Sequence, residues 1–138
     1  MTDPFKSGYA SIIGRPNVGK STLLNRLLMQ KVAVISNRPQ TTRNKITGVL
    51  HLPNAQIILV DTPGIHQSER TLNEMMVRAS VSTFSDVDLI LVMLSADAGF
   101  CDEDEFVLNS MKGIKTKKIL VINKIDLVEK NSLLLLMD

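Results

Sequence analysis

The sequence has little of what would place the chain outside ordinary soluble proteins. It holds one cysteine, Cys101, which excludes an internal disulfide and a cysteine cluster that binds a metal. Its longest uninterrupted apolar run, Leu89 to Leu94, is far shorter than the roughly 18 residues that suggest a membrane span. The segment Met1 to Ser7 lacks the apolar core of a secretory signal. We therefore expect a soluble, cytoplasmic protein.

A large charge surplus is also absent. The chain has 16 Lys+Arg against 14 Asp+Glu, which gives a formal net charge of +2. This surplus is too small to indicate nucleic-acid binding by electrostatics alone. The 138 residues, of which 44% are hydrophobic, suffice for one domain with a single core. Any RNA-related role must therefore rest on other evidence than charge.

The pattern of apolar residues predicts an α/β fold. Residues 88–94 and 118–123 are apolar runs rather than alternations, which is typical of central parallel strands covered on both faces. The further predicted elements are a strand at 9–13, a helix from about residue 20, an antiparallel hairpin at 46–52 and 56–61, and helices at about 71–83 and 102–111. This order predicts a mostly parallel sheet with helices on both faces and one antiparallel edge strand.

The predicted helix at 102–111 begins with four consecutive acidic residues, Asp102 to Glu105. Such a run could bind a metal, but carboxylates at a helix start are usually solvated and interact favourably with the helix dipole. We therefore expect a solvated run, with Phe106, Val107 and Met111 on the inner face of the helix.

The segment Gly14 to Ser21 fits the phosphate-loop pattern G-x-x-x-x-G-K-[ST] at every fixed position, and it lies between a predicted strand and a predicted helix. Two glycines let backbone N–H groups turn toward an anion, and the helix adds the positive end of its dipole. A plain glycine turn would need neither the lysine nor the serine. The predicted phosphate-binding residues are Gly14, Asn17, Val18, Gly19, Lys20, Ser21 and Thr22.

Two further motifs follow predicted strands, where ligands bind in such sheets. Asp61-Thr62-Pro63-Gly64 places a carboxylate where it can hold magnesium, and Gly64 lets a backbone N–H approach a terminal phosphate. Asn123-Lys124-Ile125-Asp126 places a carboxylate that can accept two hydrogen bonds from guanine, whereas adenine offers neither donor. Asn123 and Lys124 would line the base pocket. Together with the phosphate loop, these motifs predict a site for a guanine nucleotide.

The polar segment from Asn37 to Lys45 is predicted to be an exposed loop. A hydroxyl in Gln40-Thr41-Thr42-Arg43 could complete the coordination of magnesium, and the residues alone do not choose between Thr41 and Thr42. Such a loop would become ordered with a nucleoside triphosphate and loosen after hydrolysis. The sequence therefore predicts a switch loop here.

This set of motifs resembles the translation-factor-related GTPases, and most closely the Era family. The similarity runs from Gly8 to about Val128. The segments 40–43 and 61–66 favour Era over its relative Der, which the phosphate loop alone does not distinguish. The resemblance implies a GTPase that assists maturation of the small ribosomal subunit by binding 16S rRNA, with peripheral membrane association in some members and no DNA partner.

The resemblance also implies roles for individual residues. Ser21, Thr42 and Asp61 would bind Mg²⁺, with Asp61 acting through water, and Lys20, Thr42 and Gly64 would act on the terminal phosphate. Ile65 stands where Ras-like enzymes carry a water-positioning glutamine, so slow hydrolysis is expected. Our hypothesis is that Asn17 helps to hold K⁺ beside the phosphates.

The sequence departs from the family pattern at its end. We expect residues 1–138 to form an incomplete Era-type GTP-binding domain that lacks the last strand and helix and the RNA-binding KH domain. This expectation implies weaker guanine affinity and lower stability than in a complete domain.

Two other functions compete with GTP hydrolysis. The chain could be a P-loop ATPase or kinase, which Asn123 to Asp126 disfavour. It could also be a module that binds nucleotide or RNA without turnover. Multiple-turnover phosphate release would distinguish an enzyme from a binding module.

Overall fold

Up to residue 123, the described strands and helices follow the predicted order along the chain, with one additional short strand. The computed structural model describes residues 3–30, 32–33, 46–60 and 84–138. The elements are β1 (Lys6–Ile13), α1 (Lys20–Gln30), β2 (Val32–Ala33), β3 (Ile46–Leu52), β4 (Ala55–Val60), β5 (Leu89–Ser95), α2 (Asp102–Ser110), β6 (Lys117–Asn123), a 3₁₀ helix (Ile125–Leu127) and α3 (Lys130–Met137). The predicted switch loop, the Asp61 to Gly64 motif and the predicted helix at 71–83 lie outside the described residues.

Among the described residues, six strands form one sheet in the order β2-β3-β4-β1-β5-β6. β1 pairs in parallel with β4 and β5, and β5 pairs in parallel with β6. β3 runs antiparallel to β4, because the two-residue turn Pro53-Asn54 is too short for a crossover. The predicted α/β fold with a mostly parallel sheet and one antiparallel strand is confirmed. That strand, β3, is not at the edge as expected, because β2 lies outside it.

One short strand was not indicated by the sequence pattern. β2 pairs with the outer side of β3 through Val32↔Leu50 and Ala33↔Val49. A segment of two residues carries no detectable periodicity. In the sheet, this additional strand therefore lies beside the antiparallel hairpin, on the side of β3 away from β4.

The core occupies both faces of the sheet. On one face, Ile13 and Val92 pack with Val107 and Met111 of the α2 region. On the other face, the neighbouring residues of β1 and β5 pack with the apolar side of α1: Ile12, Met93, Leu23 and Leu24. Because adjacent residues of a strand point to opposite faces, burial on both faces requires apolar runs rather than alternation. The predicted coverage of the sheet by helices on both faces is confirmed.

The far edge of the described sheet is more exposed. β6 is its last strand, and Ile119 and Leu120 are 50% and 47% exposed. On α2, Val107 and Met111 are buried as predicted, whereas Phe106 is only partly buried. None of the helices in the described part of the chain is long and apolar enough to cross a membrane.

Candidate nucleotide-binding site

Parallel pairing brings two of the predicted motifs to one edge of the sheet. β1 ends at Ile13 and β6 at Asn123, and the two strands flank β5. β4, on the other side of β1, ends at Val60, one residue before Asp61. The carboxyl ends of adjacent parallel strands lie at a common edge. The phosphate loop and the Asn123 to Asp126 motif therefore meet there.

The phosphate loop has a backbone that only certain residues adopt easily. Asn17 and Gly19 have φ angles of 65° and 107°, in the left-handed region. A Cβ at Gly14 would lie 2.5 Å from the carbonyl oxygen of Met93, and one at Gly19 would collide with the amide of Asn123. Both glycines are therefore required by close packing, and the loop is pressed against β5 and the end of β6.

Lys20 is the buried cation of this loop. Its side chain is held by the carbonyl oxygens of Gly14 and Arg15, to which Nζ donates at 2.6 and 2.7 Å, and the residue is 8% exposed. Burial, and then the nearby Arg15 guanidinium, lower the pKa of Lys20 below its usual 10.5. Both acceptors are uncharged, so a phosphate at the loop would supply the counter-charge that favours the ammonium form.

Ser21 and Thr22 lie in the first turn of α1 and are exposed. Their position at the positive end of a helix suits contact with an anion. The predicted ligands of a hard cation are the Ser21 hydroxyl, Thr42 and Asp61. Of these, Thr42 and Asp61 lie outside the described residues. Oxygen ligands of this kind fit Mg²⁺.

The Asn123 to Asp126 motif, which we call the base-reading motif after its predicted role, is bonded directly to the phosphate loop. Asn123 donates from Nδ2 to the carbonyl of Val18 at 2.9 Å, and Lys124 donates from Nζ to the carbonyl of Asn17 at 3.0 Å. Lys124 itself has a left-handed backbone, with φ at 59°. These bonds fix the spacing between the loop and the motif. Both parts of the predicted site are therefore positioned relative to each other before a nucleotide binds.

Asp126 lies in the 3₁₀ helix, one turn beyond the end of β6, and is exposed. Its carboxylate is therefore accessible to a base that enters from solvent. The expected location of Asp126 beside the phosphate loop agrees with the bonds of Asn123 and Lys124, which are its near neighbours in sequence.

Sequence reasoning missed a carboxylate near this motif. Asp97 follows β5 and lies 3.7 Å from Nζ of Lys124. The hydroxyl of Ser95 donates to Asp97. This hydrogen bond, and then the charge of Lys124, lower the pKa of Asp97. The rule that chemistry follows strand ends could have identified Asp97, because β5 ends only two residues earlier.

The interpretation of the acidic run is wrong for one of its members. Asp102, Glu103 and Glu105 are exposed as expected, but Asp104 is 1% exposed and pairs with Arg15 of the phosphate loop. Asp104 can be buried because Arg15 compensates its charge. Since Arg15 lies 89 positions away in the sequence, no local pattern reveals this partner. Within the described ranges, no cluster of three or more His, Cys, Asp or Glu residues could hold a metal ion.

A phosphate loop after the first strand of a mostly parallel sheet, joined to a polar motif at the end of another strand, defines a P-loop nucleotide-binding protein. The model of the family described as "50S ribosome-binding GTPase" matches residues 9–124. The chain belongs to this family.

Individual relatives agree with the resemblance to Era. The chain is 52% identical over 134 residues to the GTPase Era of Syntrophus aciditrophicus (strain SB), covering 97% of this chain and 44% of that protein. A crystal structure of Era in complex with MgGDPNP and nucleotides 1506–1542 of 16S ribosomal RNA matches with a TM-score of 0.71 and 43% identity, covering 97% of this chain and 46% of that one.

A crystal structure of an Aquifex aeolicus Era variant bound to GDP and AlF₄⁻ matches with a TM-score of 0.69 and 42% identity, again over 97% of this chain and 46% of that one. The predicted similarity to the Era family is therefore confirmed. The chain spans about half the length of the relatives that it matches.

Proposed function

We propose that the chain binds guanine nucleotides with Mg²⁺ and hydrolyses GTP to GDP and phosphate, as the nucleotide-dependent switch of an Era-like protein. The observation that carries this proposal is the direct bonding of the Asn123 to Asp126 motif to the phosphate loop. A phosphate site alone would suit any nucleotide. The attached base-reading motif favours guanine.

The phosphates are assigned to the loop and the start of α1. Backbone N–H groups of the loop would cradle the inner phosphates, and the Lys20 ammonium would contact the outer ones. The residues proposed for this role are Gly14, Asn17, Val18, Gly19, Lys20, Ser21 and Thr22. Buried Lys20 favours this role, because a desolvated cation gains more from an anion than a solvated one does.

The base is assigned to Asp126, which would accept the ring N–H and the exocyclic amine of guanine. Asn123 and Lys124 hold the pocket against the phosphate loop. A site that depends on such donors rejects an analogue without them by roughly 10⁴-fold, since the acceptor is left unpaired. This discrimination separates the proposal from the ATPase or kinase alternative.

Magnesium is assigned to Ser21, with Thr42 and Asp61 as further proposed ligands. A Mg²⁺ ion held by these residues would supply positive charge against the negative charge of the phosphates during hydrolysis. We propose that the backbone N–H of Gly64 contacts the terminal phosphate and that Thr42 acts with Lys20 on it. Because Ile65 cannot orient a water, intrinsic hydrolysis should be slow, and Asn17 is proposed to assist by holding K⁺.

The cellular role is inferred from the relatives. Era is crystallised with 16S ribosomal RNA, and the matched family is described as ribosome-binding. We propose that this chain is the GTP-binding domain of a cytoplasmic protein that acts in ribosome assembly, with rRNA contacts supplied by a KH domain of the longer protein.

The test is phosphate release from excess GTP or ATP in the presence of MgCl₂. We expect slow multiple turnover with GTP, little with ATP, and loss of turnover in Lys20→Ala because the outer phosphates lose their cation. Lys117→Ala is the matched control, since Lys117 is exposed at the opposite end of β6. Turnover should be faster in KCl than in NaCl.

GDP binding without turnover in any salt would leave a binding module as the function. Preference for ATP would overturn the proposal. Equal rates in KCl and NaCl would remove potassium from it without affecting the rest.

A further inference from the structure

Arg15 connects the phosphate loop to a helix that carries none of the nucleotide motifs. Its Nε donates to both carboxylate oxygens of Asp104 at 3.1 Å, and Asp104 lies in the first turn of α2. The Asp104 side chain is 1% exposed and that of Arg15 is 15% exposed. The ion pair is therefore largely removed from water. The geometry of a buried pair affects its energy more than the geometry of a surface pair does.

The Asp104 carboxylate is itself fixed in place. It accepts the backbone N–H of Cys101 at 3.1 Å and contacts the Cys101 thiol at 3.3 Å. These contacts form a capping box at the start of α2. Nη2 of Arg15 is also buried and has no hydrogen-bond partner among the residues that the structure describes. Within that part of the chain, Asp104 is the group that compensates the Arg15 charge.

The same Arg15 residue orients Lys20 through its backbone. The carbonyl of Arg15 accepts from Nζ of Lys20 at 2.7 Å, beside the carbonyl of Gly14 at 2.6 Å. Gly14 is held by its close approach to Met93 of β5. The two carbonyls that direct the Lys20 ammonium are thus anchored on one side by the sheet and on the other by α2.

We propose that Asp104 is a positioning residue for the outer phosphates of the nucleotide, acting through Arg15 on the carbonyl that orients Lys20. This inference rests on the proposed function. It extends the phosphate site to a helix outside the nucleotide motifs, and it gives one carboxylate of the acidic run a role distinct from that of its exposed neighbours.

A simple structural ion pair would have a different effect on binding. If Asp104 served only to stabilise the fold, its loss would lower the folded fraction and weaken all nucleotides by the same factor. A positioning role acts on the phosphate that Lys20 contacts, and GDP has that phosphate whereas GMP lacks it. The ratio of the Kd for GMP to the Kd for GDP therefore separates the two roles.

The experiment measures both Kd values for the whole chain by calorimetry in MgCl₂, for the wild type, Asp104→Asn and Glu103→Gln. Glu103 lies in the same helical turn but is exposed, so its variant removes one negative charge without touching Arg15. We expect the ratio to fall about tenfold in Asp104→Asn, equivalent to about 1.4 kcal/mol, and to stay at the wild-type value in Glu103→Gln.

A second variant keeps the test decisive if Asp104→Asn fails to fold with an unpaired buried cation. Arg15→Met/Asp104→Leu removes both charges together, a replacement that buried ion pairs often tolerate. Its ratio should fall similarly. A wild-type ratio in a folded variant would overturn the positioning role, while GDP binding by the wild type would still support the proposed guanine-nucleotide site. Failure of the wild type to bind GDP would overturn both.

Discussion

At the scale of single residues, Lys20 is a buried cation of the site, held by backbone carbonyl oxygens. The sequence pattern predicts a phosphate role for this lysine, because the loop motif has fixed spacing. It did not reveal that Gly14 and Arg15 accept from Nζ, nor that Arg15 belongs to a buried ion pair. Those contacts depend on the folded path of the chain rather than on local spacing.

The lowered pKa of Lys20 predicts a pH effect on nucleotide binding. Phosphate binding needs the ammonium form. In the free protein the pKa of Lys20 lies below its usual 10.5, so the side chain loses its proton at a lower pH than an ordinary lysine does. GDP affinity should therefore fall as the pH rises through this lowered pKa. For the unliganded fold the sign is opposite, because the cost of burying the ammonium disappears as the proton is lost.

The measurement is the Kd for GDP between about pH 7 and 10 for the wild type and for Lys20→Arg. Arginine stays charged over this range, and any titration of the nucleotide itself is common to both proteins. The affinity of the wild type relative to the variant should decline toward alkaline pH. A constant relative affinity would contradict the assigned role of the buried ammonium.

At the scale of elements, the strands and helices were largely predictable where their patterns are long. Apolar runs identified β5 and β6, and the turn at Pro53-Asn54 identified the hairpin. β2 was not predicted, since two residues show no period, and buried Asp104 was not predicted, since its partner lies in a distant loop. Local patterns thus give the elements, whereas pairing between distant segments determines their edges and exceptions.

β5 is expected to carry much of the stability of the sheet. Ile90 is fully buried against the α2 layer, whereas Ile119 on β6 is 50% exposed. Ile90→Ala should lower the free energy of unfolding by about 2–5 kcal/mol because it leaves a cavity. Ile119→Ala, the matched control, should cost less than about 1 kcal/mol. Urea denaturation measures both, and equal losses would show that the core assignment is wrong.

At the scale of the whole molecule, the site is assembled from segments that are far apart in sequence. Asn123 and Val18 are 105 positions apart, yet their hydrogen bond joins the base-reading motif to the phosphate loop. The strand-end rule predicted this meeting, because the segments follow β1 and β6, two parallel strands that flank β5. It could not predict which atoms would bond. Three further residues proposed for the site lie outside the described ranges: Thr42, Asp61 and Gly64. Their roles stay predictions.

The most direct test of a guanine-specific site is calorimetric titration of the chain with GDP and ADP in magnesium and potassium, beside Asp126→Asn titrated with GDP and XDP. We expect binding of GDP, none of ADP at comparable concentrations, and a change of preference toward XDP in the variant. XDP carries an oxygen where guanine has the exocyclic amine, so it suits an amide in place of the carboxylate. Equal binding of GDP and ADP, or an unchanged preference in the variant, would contradict a guanine site built around Asp126.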